Sequence, residues 1–292
     1  LKEHTDPDDY RPILVLTALY DRETRRRALA SGAHDFLNKP FDRGEVELRI
    51  RNLLHHRLLH RKVQHHADEL EAMVDQRTAE LQHGRLEILE RLAQAAEYRD
   101  DDTGEHTARV GRWAEQMARA VGLSEADCRV IRRAAPLHDL GKIGIPDAIL
   151  LKPGRLTKDE FQQMKAHTSI GAQILSGSND PLLEMARRIS HAHHENWDGT
   201  GYPRGLRGEE IPMEARIVAV IDVFDALTHE RPYKAAWPIP KAMEEIRRIA
   251  GSKFDPALVP IFEGLVEEFT EEQDASEGPI TLQTADVHER AS

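Results

Sequence analysis

From Leu53 to Glu97 the chain runs without a proline and with a single glycine, Gly84, and this stretch limits the fold more than any other feature. Leu58, Val63, Leu70, Val74, Leu81, Leu86, Leu89 and Leu92 recur at spacings near three, four or seven between charged residues, which puts an apolar stripe on a helix. The stretch reads as a connecting helix, either half of a dimeric coiled coil or a lone amphipathic helix lying on a neighbouring domain. Beyond it, from about Ala93 to Thr270, helix-compatible segments are broken by Gly and Pro, and no strand-like alternation is sustained. The fold class expected is therefore mainly α.

The first residues differ. Positions 13–18 read Ile-Leu-Val-Leu-Thr-Ala, an apolar run of strand length, followed by a helical stretch from about Asp21 to Ser31. Gly32 to Pro40 then reads as a helix stop, a short strand and a Lys-Pro turn, and the alternation suggests a parallel sheet. This segment resembles the last part of a receiver domain of two-component signalling, with Thr17 at the switch hydroxyl and Lys39 at the lysine that contacts the phosphoryl group. A complete receiver would need about 60–70 more residues ahead of Leu1, the phosphoacceptor aspartate among them. The expectation is thus an N-terminally truncated receiver that packs without signalling. An upstream histidine kinase is a partner only if the native chain carries the whole domain. The boundaries expected are 1–54 for the partial α/β receiver, 55–97 for the linker helix and 98–270 for the helical domain. Residues 271–292, acidic and rich in Ser and Thr, are expected to be disordered.

Composition narrows the chemistry. Cys128 is the only cysteine, so any metal must be held by His, Asp or Glu. A formal charge of −11 argues against a nucleic-acid polymer as partner but leaves room for a small anionic ligand. No apolar run approaches the roughly 20 residues of a membrane helix, and the start lacks a signal-peptide layout. No membrane span and a cytoplasmic address are expected. Of the 16 histidines, His55, His56, His60, His65 and His66 lie in a polar stretch and read as solvated surface.

The chemical signal begins at His138-Asp139, inside Ala-Pro-Leu-His-Asp-Leu-Gly-Lys-Ile-Gly-Ile-Pro. Adjacent imidazole and carboxylate near a helix end can serve one metal centre, and on a helix Lys142 would share their face. Alone, the pair reads more naturally as a helix cap. Further candidates reverse that reading: His106, His167, His193-His194-Glu195 before Asn-Trp-Asp-Gly-Thr-Gly-Tyr-Pro, and Asp222 with Asp225. Histidines and carboxylates spread over several helical segments match the way helical folds build metal centres from facing helices. Trp113, Trp197 and Trp237 can stack on a base, although each reads more readily as core.

These blocks resemble the HD-GYP family. His138-Asp139 with Gly141-Lys142 is similar to the HD motif, His193 through Pro203 to the HHExxDGxGYP motif, and Val220 to Lys234 to the block that follows. The resemblance covers Arg99 to Phe269 and implies a helical HD-superfamily core with extra helices. It implies metal ligation by His106, His138, Asp139, His167, His193, His194 and Asp222, with Asp139 bridging two metals. The family's third-metal glutamate falls at Asp102, one methylene shorter, so a third ion is left in question. Catalysis would rest on Asp139 and Lys142, and substrate contacts on Lys142, Tyr202, Asp225, Arg231 and Lys234.

The activity implied is hydrolysis of cyclic di-GMP, to pGpG or on to GMP, as the output of a response regulator. Two metals about 3.5–4 Å apart lower the pKa of a bridging water, and the resulting hydroxide would attack phosphorus in line. Cations such as Lys142 would neutralise phosphate oxygens. Oxygen and imidazole ligands suit divalent iron or manganese. Two alternatives stand beside this reading: an HD-superfamily phosphohydrolase for another cyclic dinucleotide, and a catalytically silent module that binds ligand or a partner in the same groove.

Overall fold

The computed structural model describes residues 11–18, 22–99, 105–230 and 235–276, with side chains through residue 270. The chain divides at Gly84 into two units, Leu1–His83 and Gly84–Ser292. Asp102, Arg231 and Lys234 lie outside the described residues, as does the expected tail beyond Ser276.

In the first unit, strand β1 (Leu14–Thr17), helix α1 (Arg22–Ala30) and strand β2 (Asp35–Asn38) follow the expected order. The strands pair in parallel, with Leu14 opposite Asp35 and Thr17 opposite Asn38. Leu37, on β2, is buried. Arg49 forks onto both oxygens of Asp35 at 2.8 Å, tying the second strand to the helix that follows.

That helix, α2, runs unbroken over Arg43–Glu97. The border expected between residues 54 and 55 therefore falls inside one helix. Asp42 accepts hydrogen bonds from the amides of Gly44 (2.8 Å) and Glu45 (3.2 Å), which starts the helix straight after the Lys-Pro turn. Nothing between Arg43 and Leu53 stops it. The stripe residues Leu58, Val63, Leu70, Val74 and Leu81 are all exposed, whereas Ala93, Ala96 and Glu97 are buried. The last turns of α2 are therefore core of the second unit and not linker.

The second unit is built of helices α3 (Glu105–Ala120), α4 (Glu125–Ala134), α5 (Asp147–Leu150), α6 (Lys158–Ile174), α7 (Pro181–Ala192), α8 (Met213–Thr228), α9 (Ile239–Arg248) and α10 (Leu258–Ser276). α10 continues six residues past the expected start of the tail, because Glu271 to Ser276 contains no helix breaker. α3 packs on α4 and α8, and α6 packs on α7.

α8 explains the arrangement. Ala215, Ile217, Val218, Val220 and Ile221 are all but inaccessible, and a helix that is apolar all round must sit inside others. Burying each such branched side chain contributes about 1.5–3 kcal/mol. Two aspartates, Asp222 and Asp225, are carried on this helix, where an unpaired charge would be costly. Trp113 packs edge-on against Phe224, Phe262 and Phe269, so it is core. Trp197 lies near the Arg216 guanidinium and Trp237 under Lys241, and neither lines the cavity described below. No helix among the described residues is long and apolar enough to cross a membrane.

Candidate metal centre

His138 and Asp139 sit between two short 3₁₀ turns, Ala135–Leu137 and Leu140–Gly144, and not on the α-helix expected. Side chains three apart eclipse in a 3₁₀ turn, which brings Lys142 Nζ to 2.8 Å from Asp139 Oδ2. Arg99, just past the end of α2, pins this turn from outside. Its guanidinium donates to the carbonyls of Lys142 (2.7 Å) and Ile145 (2.9 Å) and to Asp147 Oδ1 (2.6 Å).

Around Asp139 the other sequence-read ligands gather. Its Oδ1 lies 3.3 Å from His167 Nε2 and 3.6 Å from His193 Nε2. Its Oδ2 lies 3.4 Å from His138 Nε2. Asp222 Oδ1 stands 3.5 Å from His106 Nε2 and 3.8 Å from His138 Nε2. The donors fall into two groups, Asp139–His167–His193–His194 and His106–His138–Asp222, each with ligand atoms within 4.8 Å of one another. Five segments supply them: α3, the 3₁₀ turns, α6, the end of α7, and α8.

The imidazoles are already turned for ligation. His138 Nδ1 donates to Ala135 O (2.9 Å) and His167 Nδ1 to Met164 O (2.7 Å). His193 Nδ1 donates to Ile189 O and Ser190 O, both at 3.1 Å. A carbonyl only accepts, so in each ring Nδ1 carries a proton and Nε2 is the atom turned inward. Nε2 of His138, His167 and His193 and Oδ1 of Asp139 are buried without a hydrogen bond. Four such atoms converging in one place would be expensive in an apolar interior, and a bound cation would satisfy them all.

The fields inside the cluster are uneven. Burial alone would lower the His138 imidazole, but Asp139 and Asp222 outweigh it and raise it to about 9. Burial lowers His167 to about 4 and His194 well below its usual range. Burial would raise Asp139, yet Lys142 and His138 hold it far below the ordinary carboxylate range. Asp139 and Asp222 are thus held in the ionised form and His167 and His194 in the neutral form, the states that metal ligation requires, while the carboxylates beside His138 favour its charged form.

A family model described as an HD domain matches residues 90–258. The chain belongs to the HD-domain family. Over 266 residues it is 42% identical to a cyclic di-GMP phosphodiesterase of Thermotoga maritima, covering 89% of this chain and 72% of that protein. Over 248 residues it is 46% identical to the cyclic di-GMP phosphodiesterase response regulator RpfG of Xanthomonas campestris pv. campestris, covering 85% and 66%. A 3'3'-cGAMP-specific phosphodiesterase of Vibrio cholerae is 41% identical over 194 residues, or 66% of this chain and 36% of its own length.

Within this HD domain, a cavity of about 280 Å³ opens on the cluster. Lys142 and Tyr202, both expected to contact substrate, line it. The Tyr202 ring lies 4.8 Å from that of His194, and burial, with Asp139 and Asp222 adding to it, raises the phenol so that it stays protonated. The loop that carries it is closed by Glu195, whose two oxygens accept from the amides of Arg204 (2.7 Å) and Leu206 (3.0 Å). Gly201 is required there, since a Cβ would come within 2.2 Å of Asn196 N.

Asp225 corrects an expectation. It does not line the cavity and is only 2% exposed, so it is not a substrate contact. His106 Nδ1 donates to its Oδ2 at 2.6 Å, and Arg109 donates through Nε to Oδ1 (2.7 Å) and through Nη2 to Oδ2 (3.0 Å). Burial would raise this carboxyl, but His106 and Arg109 hold it far down. Asp225 therefore turns the His106 ring so that Nε2 faces Asp222. Sequence reasoning missed Arg109, Arg99 and Glu97. Arg109 alone had a signal, standing three residues after His106 on the same helical face. Glu97 lines the cavity with Oε1 buried and without a hydrogen bond.

Proposed function

We propose that this HD-domain chain hydrolyses the phosphodiester bonds of cyclic di-GMP. The observation that carries the reading is the convergence of seven imidazole and carboxylate side chains, four of their buried atoms lacking hydrogen bonds and six of the seven lining one cavity together with a lysine. Relatives named cyclic di-GMP phosphodiesterases support the substrate.

His106, His138, His167, His193, His194, Asp139 and Asp222 would hold two divalent ions. Asp139 would serve both, since its Oδ2 lies toward His138 of one group and its Oδ1 toward His167 of the other. Iron or manganese suits a set of imidazole and carboxylate without thiolate. A third ion would depend on Asp102. When bound, such ions supply the Lewis acidity that activates a water and draws charge from the phosphoryl oxygens.

The side chains do the rest. Lys142 neutralises a phosphoryl oxygen and also holds Asp139 ionised. Tyr202, kept protonated, donates a hydrogen bond at the cavity wall. Arg231 and Lys234 are proposed as further substrate contacts. Asp225 and Arg109 fix the His106 ring, and Glu195 fixes the loop of Tyr202. In the reaction an oxygen from water bonds to phosphorus, the bond to the 3′ oxygen breaks, and that oxygen leaves with a proton.

The first unit is proposed as the end of a receiver domain, on its parallel β-α-β order and the response-regulator relative. The exposed leucines of α2 support a second copy of the chain as partner. A second substrate reading, 3'3'-cGAMP, is favoured by the Vibrio cholerae relatives that bear that name. The test is metal analysis and product chromatography on anaerobically purified protein offered cyclic di-GMP, 3'3'-cGAMP and cyclic di-AMP. Cyclic di-GMP should be cleaved fastest, and His138→Ala or Asp139→Ala should abolish turnover and most of the bound metal. Full activity in either variant would overturn the reading.

A further inference from the structure

Beside the metal centre lies a second cleft, of about 550 Å³, which shares Ala93, Thr107 and Pro136 with the wall of the first. Thr107 directly follows His106, and Pro136 stands two residues before His138. The cleft therefore adjoins the reaction site along the very segments that present its ligands.

Four arginines line it, Arg112 from α3 and Arg129, Arg132 and Arg133 from α4. Two acids, Glu90 and Glu115, are their counterparts. Arg132 is paired with Glu115 at 2.7 Å. Arg112, Arg129 and Arg133 make no hydrogen bond or ion pair among the described residues, Arg129 acting on Glu125 only through space. In a chain of formal charge −11, this corner carries two more positive than negative side chains beside a site for a nucleotide anion. Guanidinium groups offer planar, paired donors that match phosphate oxygens.

The chemistry of the proposed reaction says which phosphate. Opening the ring converts one phosphodiester into a 3′ hydroxyl and a terminal 5′-phosphomonoester. That monoester loses its second proton with a pKa of about 6. The linear dinucleotide so carries a more highly charged terminus than anything in the cyclic substrate. Free guanidinium groups favour such a terminus over a diester.

We propose that the arginine cleft holds the terminal 5′-phosphate of linear pGpG and keeps it beside the metal centre for cleavage of the remaining phosphodiester. This deepens the cyclic di-GMP reading and rests on it. The test uses the metal-loaded full chain and two analogues whose internal diester is a non-hydrolysable methylenephosphonate, one with and one without the 5′-phosphate. Calorimetric titration should give about 10- to 100-fold tighter binding of the 5′-phosphorylated analogue to the wild type. The preference should weaken with added salt. In Arg112→Gln/Arg133→Gln, which leaves the Arg132–Glu115 pair intact, it should shrink to about 3-fold or less. Equal binding of the two analogues by the wild type, or an undiminished preference in the double variant, overturns the proposal. Absence of cyclic di-GMP turnover alongside an intact 5′-phosphate preference would remove the hydrolase reading instead and support the cleft.

Discussion

Gly141 is where the turn bearing Asp139 and Lys142 meets α6, and Gly141→Ala tests whether that contact sets the metal centre. A Cβ built on Gly141 would stand 1.8 Å from His167 O, 2.5 Å from Gly171 N and 2.8 Å from His167 C, whereas real Cβ contacts essentially never fall under 3.0 Å. The turn and α6 must therefore part by roughly 1.2 Å, the difference between 3.0 and 1.8 Å. All three obstructing atoms are backbone, so no side chain can swing aside. The same two segments carry Asp139 Oδ1 and His167 Nε2, now 3.3 Å apart. Ligand constellations tolerate about 0.5 Å of misplacement, so the variant should lose metal as well as stability.

The expected cost is that of overpacking, about 1–3 kcal/mol, or a fall in Tm of about 2–12 °C for a domain of this size. Turnover should fall by about 100-fold or more, the usual consequence of a misplacement near 1 Å. Melting by circular dichroism, metal content by mass spectrometry and turnover of cyclic di-GMP would be measured on the same preparation. Gly84→Ala is the control. Nothing lies within 4 Å of its Cβ position on α2, where Gly84 is half-buried, and alanine there should add about 1 kcal/mol of helix stability without touching the metal. Wild-type metal content, turnover and Tm in Gly141→Ala would refute the reasoning.

Asp225→Asn should leave the cavity wall unchanged but weaken metal binding by about 10- to 100-fold, since His106 loses the carboxylate that orients it and Arg109 loses its counterion; unchanged metal affinity in a chelator competition would show that His106 needs no such partner. Arg99→Lys keeps the charge but not the fork across two carbonyls and a carboxylate, so kcat should fall while metal content holds, and added guanidinium should restore part of the rate in Arg99→Ala; no rescue by guanidinium would count against the clamp. Glu160 pairs with Lys152 and caps α6 through Thr157, and these contacts lower its carboxyl to about 2. A depressed folded-state pKa gives stability that is present above the ordinary carboxylate value of 4.5 and lost as pH falls toward 2. The Tm gap between wild type and Glu160→Gln should accordingly close over that window, and a gap that widens with acid would contradict the pairing.

Much of the centre could be read from the chain because metal ligation demands particular atoms, and His, Asp and Gly in short blocks announce them. The seven histidines and aspartates singled out as ligands lie in two neighbouring groups that could each hold an ion. What could not be read was the part that Asp225 plays, because three-residue spacing on α8 puts it on the same face as Asp222. Only the position of α3, brought alongside by folding, decides that Asp222 meets the Nε2 edges and Asp225 the Nδ1 edge of His106. Arg109 and Arg99 were hidden for the same reason, since their partners lie 116 and 43 to 48 residues away. That the border expected at residue 54 falls inside one helix has another cause. Helical period records which face of a helix is apolar, and it stays the same whether that face is exposed, as at Leu58 and Leu81, or leads into a core, as at Ala93 and Ala96. Period alone thus identifies a helix and leaves open where along its length one unit gives way to the next.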